Sequence, residues 1–323
     1  MIILARRKNK LIFQEDIEAE NIVEVTDFDI ALTLFLRDCK IRNLSEYTLN
    51  YYSNELTKFR KMLEEQGKPT NPSQIKSNAI KECVILKMME EGRKEATINA
   101  RLRAIRSFFN FLHREGYLFT NPMSGIKLIR QKIQVVETFS RQQVHDLLRQ
   151  PDQTTFTGLR DYTMLLVLFE TGVRVKELAN VKVNDINFED NTLRIRDPKG
   201  LKERLVPFQT TVKKYLRKYL QVRGNLEHDY VFVTLDNTPI SVRAFQNNMA
   251  KYGRQANIKN VRCSPHTIRH TFAKMAVLNG ADIFTLQKIL GHSSLEMVRR
   301  YVELFSKDIQ KNHQKFSPVE NLF

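Results

Sequence analysis

Four stretches in the second half of the chain hold side chains suited to one kind of chemistry, the handling of a phosphate. In TGVRVKELANV (171–181), Arg174 follows Gly172 and opens an amphipathic stretch with Leu178 and Val181. An arginine among apolar neighbours is costly to bury without an anion. That anion is either Glu177, one helical turn on, or a substrate phosphate, which a guanidinium fork binds through two parallel hydrogen bonds. In DPKGLKERLVPF (197–208), Lys199 sits beside Gly200, with Lys202 and Arg204 close by. A lysine at such a turn is either solvent-exposed or an ammonium carried into a DNA groove.

The third stretch is SPHTIRHTFA (264–273). Ser264 is a helix N-cap and Pro265 suits the first helical position. His266 and Arg269 then lie three apart on one face, near backbone N–H groups that favour an anion. The fourth is LQKILGHSSLEMVRRYV (286–302). Gly291 ends one helix, Ser293 and Glu296 form a capping box for the next, and His292 lies at the junction. Tyr301 follows nine residues later, about two turns into the new helix, where a tyrosine is either packed or reactive. The pair His266 and His270 lacks the glutamate of an HExxH motif and has no acid nearby, so it does not read as a metal site.

Short elements must bring these stretches together. TLRIR (192–196) and ERLVPF (203–208) alternate around Gly200 and predict a β-hairpin. YVFVT (230–234) predicts another short strand. Helices are expected over 141–148, 158–170, 241–256, 265–279, 282–290 and 294–304, with a further helical face at Val212, Tyr215, Leu216, Tyr219 and Leu220. The first part is all helical. Phe28, Ala31, Leu32 and Phe35 mark one helix, and Leu49, Tyr52, Leu56, Phe59 and Leu63 a second, with Thr48 as its N-cap and Gly67 as its C-cap. Ile80, Val84 and Met88 mark a third, and Ile98, Leu102, Ile105, Phe109 and Leu112 a fourth over 96–114. Arg101, Arg103 and Arg106 interleave with that last face, as phosphate contacts or as a solvated surface. NPMSGIKLIRQKIQVVETFS (121–140) has Pro, Gly and several bases without a clean period, and reads as a linker.

Composition narrows the classes further. The chain has 323 residues, right for two domains. Its 42% hydrophobic content argues against wholesale disorder. No apolar run approaches 18 residues, which argues against a membrane span, and MIILARRKNK does not read as a secretory signal. The cysteines Cys39, Cys83 and Cys263 are odd in number and widely spaced, which points to a reducing, cytoplasmic compartment. Lys and Arg number 52 against 36 Asp and Glu, a net charge of +16. Residues 1–135 carry 23 basic and 17 acidic side chains and the rest 29 and 19, so both parts are basic. Such a chain attracts polyanions, nucleic acid first among them.

The order Arg174, Lys199, His266-x-x-Arg269, Gly291-His292, Tyr301 resembles the tyrosine recombinases, the family of phage integrases, Xer-type resolution enzymes and transposon integrases. The resemblance implies a mainly α fold with a small β-hairpin or sheet, in two domains. Residues 1–24 would be an N-terminal extension, 25–120 a helical, SAM-like core-binding domain, 121–137 a linker and 138–323 a mostly α catalytic domain with a C-terminal tail. It implies that Tyr301 attacks a phosphodiester to form a 3′-phosphotyrosyl link, and that Arg174 and Arg269 clamp the phosphate oxygens. Lys199 would be the general acid, His266 would assist proton transfer, His292 would add a hydrogen bond, and Glu177 would orient Arg174 or His266. Arg101, Arg103, Arg106, Lys202 and Arg204 would contact DNA. No cofactor is implied, neither metal nor nucleotide. The partner would be double-stranded DNA with paired core sites, bound by a dimer per site and a homotetramer in the synapse, for integration, excision, transposition or resolution. A silent DNA-binding regulator on the same scaffold and a type IB topoisomerase are the alternatives.

Overall fold

In the computed structural model, residues 25–131, 137–196 and 203–291 are described. The chain divides into two compact units, Met1–Gln134 and Val135–Phe323.

The first unit is built from helices. α1 (Phe28–Ile41) starts at Asp27, whose carboxylate accepts the Ile30 N–H, an N-cap that satisfies one otherwise orphaned donor. α2 (Glu46–Glu64) is capped by Ser45 and not by Thr48, so it begins a turn earlier than its apolar spacing suggests. Gly67, with φ +61°, lets the chain turn so that the Lys68 N–H bonds back to the Leu63 carbonyl, the left-handed ending that glycine permits. α3 (Ser77–Ile80) passes through a π-helical turn, Lys81–Leu86, into α4 (Lys87–Glu90). α5 (Glu95–Arg114) is the centre of the unit. Phe28, Phe35, Phe59, Phe108 and Phe109 pack ring to ring across α1, α2 and α5, most of them tilted or edge-on, as aromatic quadrupoles prefer.

α5 is buried over more of its circumference than one apolar stripe requires. Asn99 and Arg101 are buried along with the expected Ile98, Leu102, Ile105, Phe109 and Leu112. The Asn99 side chain donates to the Ile129 carbonyl at 2.9 Å and accepts its N–H at 2.8 Å. Met123 and Ile126 enter the same core. The stretch that reads as linker is therefore, over 121–129, a packed part of the first unit.

In the second unit, α6 (Arg141–Leu148), α7 (Phe156–Thr171) and α8 (Val175–Ala179) precede a three-stranded antiparallel sheet of β1 (Ile186–Asn187), β2 (Thr192–Arg196) and β3 (Glu203–Pro207). β2 and β3 pair from Thr192 with Pro207 to Arg196 with Glu203, the hairpin expected from their alternation. α9 (Thr210–Arg223), α10 (Val242–Gln255), α11 (Pro265–Leu278) and α12 (Ile283–Leu290) follow. Residues 230–234 do not form the expected strand; they make isolated bridges from Tyr230 to Lys182 and from Val233 to Pro239. Val231, Phe232 and Val233 are fully buried, so the run is apolar enough for a strand. Its polar groups are satisfied by a loop and by side chains: Val231 N–H by the Val181 carbonyl, Val233 N–H by the Tyr219 hydroxyl, and Val233 carbonyl by Arg160. Buried backbone needs partners, and among the described residues no second strand supplies them here.

α7 carries a buried ion pair. Arg160 and Asp161 are 4% and 0% exposed and bond at 2.8 Å. Asp161 also accepts from Asn248 and Tyr252 of α10 at 2.8 and 2.9 Å. Every partner of the pair is satisfied, which a charge this deep requires.

Candidate active site

Arg174 occupies the N-cap position of α8. The Glu177 carboxylate accepts both its backbone N–H, at 2.8 Å, and its guanidinium, at 2.9 Å. The intramolecular anion considered for Arg174 is thus present, yet the arginine side chain remains 44% exposed. It is held from behind and open in front. Burial pushes the Glu177 carboxyl up, but hydrogen bonds and charge from Arg204, with those from Arg174, outweigh this and leave it below the usual carboxylate range.

Arg269 lies on α11, one turn beyond the Ser264 cap, and is 5% exposed. It donates to the Gly172 carbonyl at 2.6 Å and to the Leu290 carbonyl at 2.7 Å. One bond reaches the loop two residues before Arg174, and the other reaches the last turn of α12, next to Gly291. His266 is exposed on the first turn of α11. Burial, with the charges of His266 and Arg269, holds His270 below the usual imidazole range.

Two glycines make these approaches possible. Gly172 ends α7 with φ +61°, and a Cβ there would stand 2.3 Å from the Phe272 ring. Gly291 ends α12 with φ +64°, and a Cβ there would stand 2.8 Å from the Arg204 guanidinium. A side chain at either position meets both a strained backbone and an occupied space. Gly172→Ala is expected to destabilise the second unit by about 2–4 kcal/mol, combining the left-handed penalty with overpacking against a ring. In thermal melting this is a fall of roughly 5–15 °C; a melting temperature equal to wild type would show that the loop relaxes freely.

Several of the sequence-predicted DNA contacts are corrected. Arg101 does not face outward: its guanidinium bonds Glu55 at 2.8 Å and lies against the sulfurs of Met62 and Met88 at 3.1 and 3.3 Å. Arg106 is half-buried and donates to the Ile126 carbonyl, tying down the chain after α5. Arg204 is also half-buried and engaged within the protein, with both terminal nitrogens on Glu177 and Nε on the Ile289 carbonyl. Of the three α5 arginines singled out in the sequence, Arg103 is exposed. Lys199, Lys202, His292 and Tyr301 lie outside the described residues.

A cavity of about 440 Å³ opens beside His266, lined by Arg243 and Arg254 of α10 and by Arg262. Sequence reading did not single these arginines out; Arg262 lies just before the Ser264-Pro265-His266 motif, and that proximity was the one signal available. Among the described residues, no group of three or more His, Cys, Asp or Glu side chains could hold a metal ion, and no helix is long and apolar enough to cross a membrane.

The arrangement gathers Arg174, Glu177, Arg204, Arg269 and Gly291 around one run of hydrogen bonds. Comparison with known proteins gives it a context. Residues 137–307, more than half of the chain, match the phage integrase family, and residues 32–116 match the phage integrase N-terminal SAM-like domain. The chain belongs to the phage integrase family. Like the XerC of Chlamydia caviae, a relative 32% identical over 86% of this chain and 95% of its own length, it is a tyrosine recombinase. The recombinase also shares its fold with two solved structures. One is XerH site-specific recombinase bound to a palindromic difH substrate, with TM-score 0.72, 18% identity, and coverage of 88% of this chain and 85% of that one. The other is a lambda integrase dimer bound to a COC′ core site, with TM-score 0.71, 17% identity, and coverage of 89% and 79%. The expectation of a mainly helical, two-domain recombinase fold with a small antiparallel sheet is met.

Proposed function

We propose that this recombinase cuts and rejoins DNA strands at paired core sites through a phosphotyrosyl intermediate on Tyr301. A phenol, with a pKa of about 10, is a poor nucleophile at neutral pH. It needs a base and strongly polarised phosphate oxygens. In this reading His266 assists removal of the phenolic proton, and Tyr301 Oη forms a bond to phosphorus. The bond from phosphorus to the 5′-oxygen breaks, and Lys199 protonates the departing oxygen. Arg174 and Arg269 stabilise the negative charge of the pentacoordinate transition state, and His292 adds a hydrogen bond to it. Attack by the 5′-hydroxyl of another strand reverses these events and leads through a Holliday junction. The ester conserves the energy of the broken bond, so religation needs no nucleotide.

The observation that supports this reading is the bonding of Arg269 to the carbonyls of Gly172 and Leu290, because it joins the stretches that hold Arg174 and Arg269 to the end of α12 at Gly291. Arg103, Lys202 and the arginines beside His266 are proposed as contacts to the DNA backbone. Residues 25–120 would form the core-binding domain and 138–323 the catalytic domain, acting on DNA in the cytoplasm. The DNA in the XerH structure and the dimer on the lambda core site support duplex DNA as partner and a dimer per site; a homotetramer in the synapse completes the proposal.

A nicked duplex that loses its 5′-hydroxyl fragment after cleavage tests the proposal. Wild-type protein, given nicked duplexes that carry candidate inverted repeats drawn from the DNA around its gene, and excess chelator, is expected to accumulate a denaturant-resistant adduct on the 3′ side of the cut. An adduct on the 5′ side, or none on any such duplex, would overturn it.

A further inference from the structure

Arg204 was expected at the DNA, but its bonds point inward and reach three separate stretches of the second unit. From β3 it donates to both Glu177 oxygens, at 3.2 and 2.7 Å, and through Nε to the Ile289 carbonyl at 2.9 Å. Its guanidinium fills the space where a Gly291 side chain would begin. Glu177 in turn holds the backbone and guanidinium of Arg174. Arg269 takes the Leu290 carbonyl, next to the one that Arg204 takes. Two consecutive carbonyls at the end of α12 are thus each met by an arginine from elsewhere in the chain. Helix ends leave such carbonyls without intrahelical partners, and cations are favoured there.

We infer that Arg204 is a positioning residue of the recombination site, which sets Arg174 through Glu177 and anchors the end of α12 at Ile289 and Gly291. The inference rests on the proposed function above. A planar fork is needed for this arrangement. One face spans two carboxylate oxygens while Nε reaches a third acceptor, and a lysine ammonium has no matching geometry. Arg204 is 19% exposed and Glu177 is 12% exposed, so the pair is shielded enough for geometry to matter. Groups that orient a charged clamp act on the transition state, where small misplacements slow the reaction strongly.

The test compares Arg204→Lys, Arg204→Gln, Glu177→Gln and the Arg204→Gln/Glu177→Gln double variant. Two readouts are taken: the salt dependence of DNA affinity, and the single-turnover rate of adduct formation by protein already bound to a nicked duplex. The bound-state rate reports only folded molecules, and Arg204→Lys keeps the charge if the glutamine variant folds poorly. Each single variant is expected to bind with an unchanged salt slope and to cleave about 30- to 300-fold more slowly. The double variant is expected to be no slower than Glu177→Gln alone. A salt slope reduced by about one would make Arg204 a phosphate contact instead. Wild-type cleavage in Arg204→Lys, or effects that multiply in the double variant, would also overturn the inference. If wild-type protein forms no adduct that depends on Tyr301, the proposed function fails, not the role of Arg204 within it.

Discussion

Tyr301→Phe is expected to abolish covalent attachment to DNA while binding stays within about twofold of wild type. The substitution removes one oxygen and keeps the ring, so whatever packing the side chain makes is retained. Loss of an enzyme's nucleophile costs on the order of 10⁴-fold or more in rate, so no adduct should accumulate over the time in which wild type is fully trapped. The measurement is denaturing gel electrophoresis of the nicked duplex beside a mobility shift of the intact site. Two other tyrosines of the second unit are unsuited to take over. The Tyr219 hydroxyl is buried and accepts the Val233 N–H. Burial, with the charge and hydrogen bond of Asp161, pushes the Tyr252 phenol far up, which makes its anion still harder to form. An adduct that survives in Tyr301→Phe would place the nucleophile elsewhere.

Arg269→Ala should lower both stability and cleavage. The guanidinium is buried, and its removal strips the Gly172 and Leu290 carbonyls of a charged donor. Hydrogen bonds to a charged group contribute about 1.5–3 kcal/mol each, and unsatisfied buried acceptors add to the loss. A fall of about 3–5 kcal/mol is therefore expected in denaturant unfolding of the second unit. Cleavage should fall by at least 10³-fold even where the variant is folded, because a preorganised charge at the transition state is lost along with the alignment of two stretches. Arg269→Lys separates the two effects: it keeps a cation but cannot reach both carbonyls. A variant as stable as wild type would mean that the two carbonyls find other donors. One that is unstable yet cleaves normally when bound would confine Arg269 to a structural part.

Much of this architecture was legible in the residues. The spacing of Phe28, Leu56, Phe59, Leu102 and Phe109 gave the first helical core, and Ser264 and Asp282 start α11 and α12 at the expected places. The alternation of TLRIR and ERLVP gave the hairpin. The harder cases depended on partners far away in sequence. Periodicity marks which face of α5 is apolar, but only Glu55, Met62 and Met88 from other helices turn Arg101 inward. An arginine in a hairpin looks solvated until Glu177 and the end of α12 are seen beside it. The run 230–234 has strand composition, yet among the described residues it makes only isolated bridges, and a tyrosine and an arginine take up the N–H and carbonyl of Val233. In the candidate site the motif residues were readable because glycine, proline and cap chemistry are local signals. The links among the motifs were not, since they join stretches from 21 to 97 residues apart with no local signal to pair them.

The Asn99–Ile129 pairing also bears on where the first unit can be cut out of the chain. Ile129 is fixed to α5 by two bonds, and Met123 and Ile126 are buried in the same core. A fragment that stopped at residue 120 would expose that apolar surface to water and lose both bonds. The shortest stable form of the first unit therefore runs past its last helix, to Ile129.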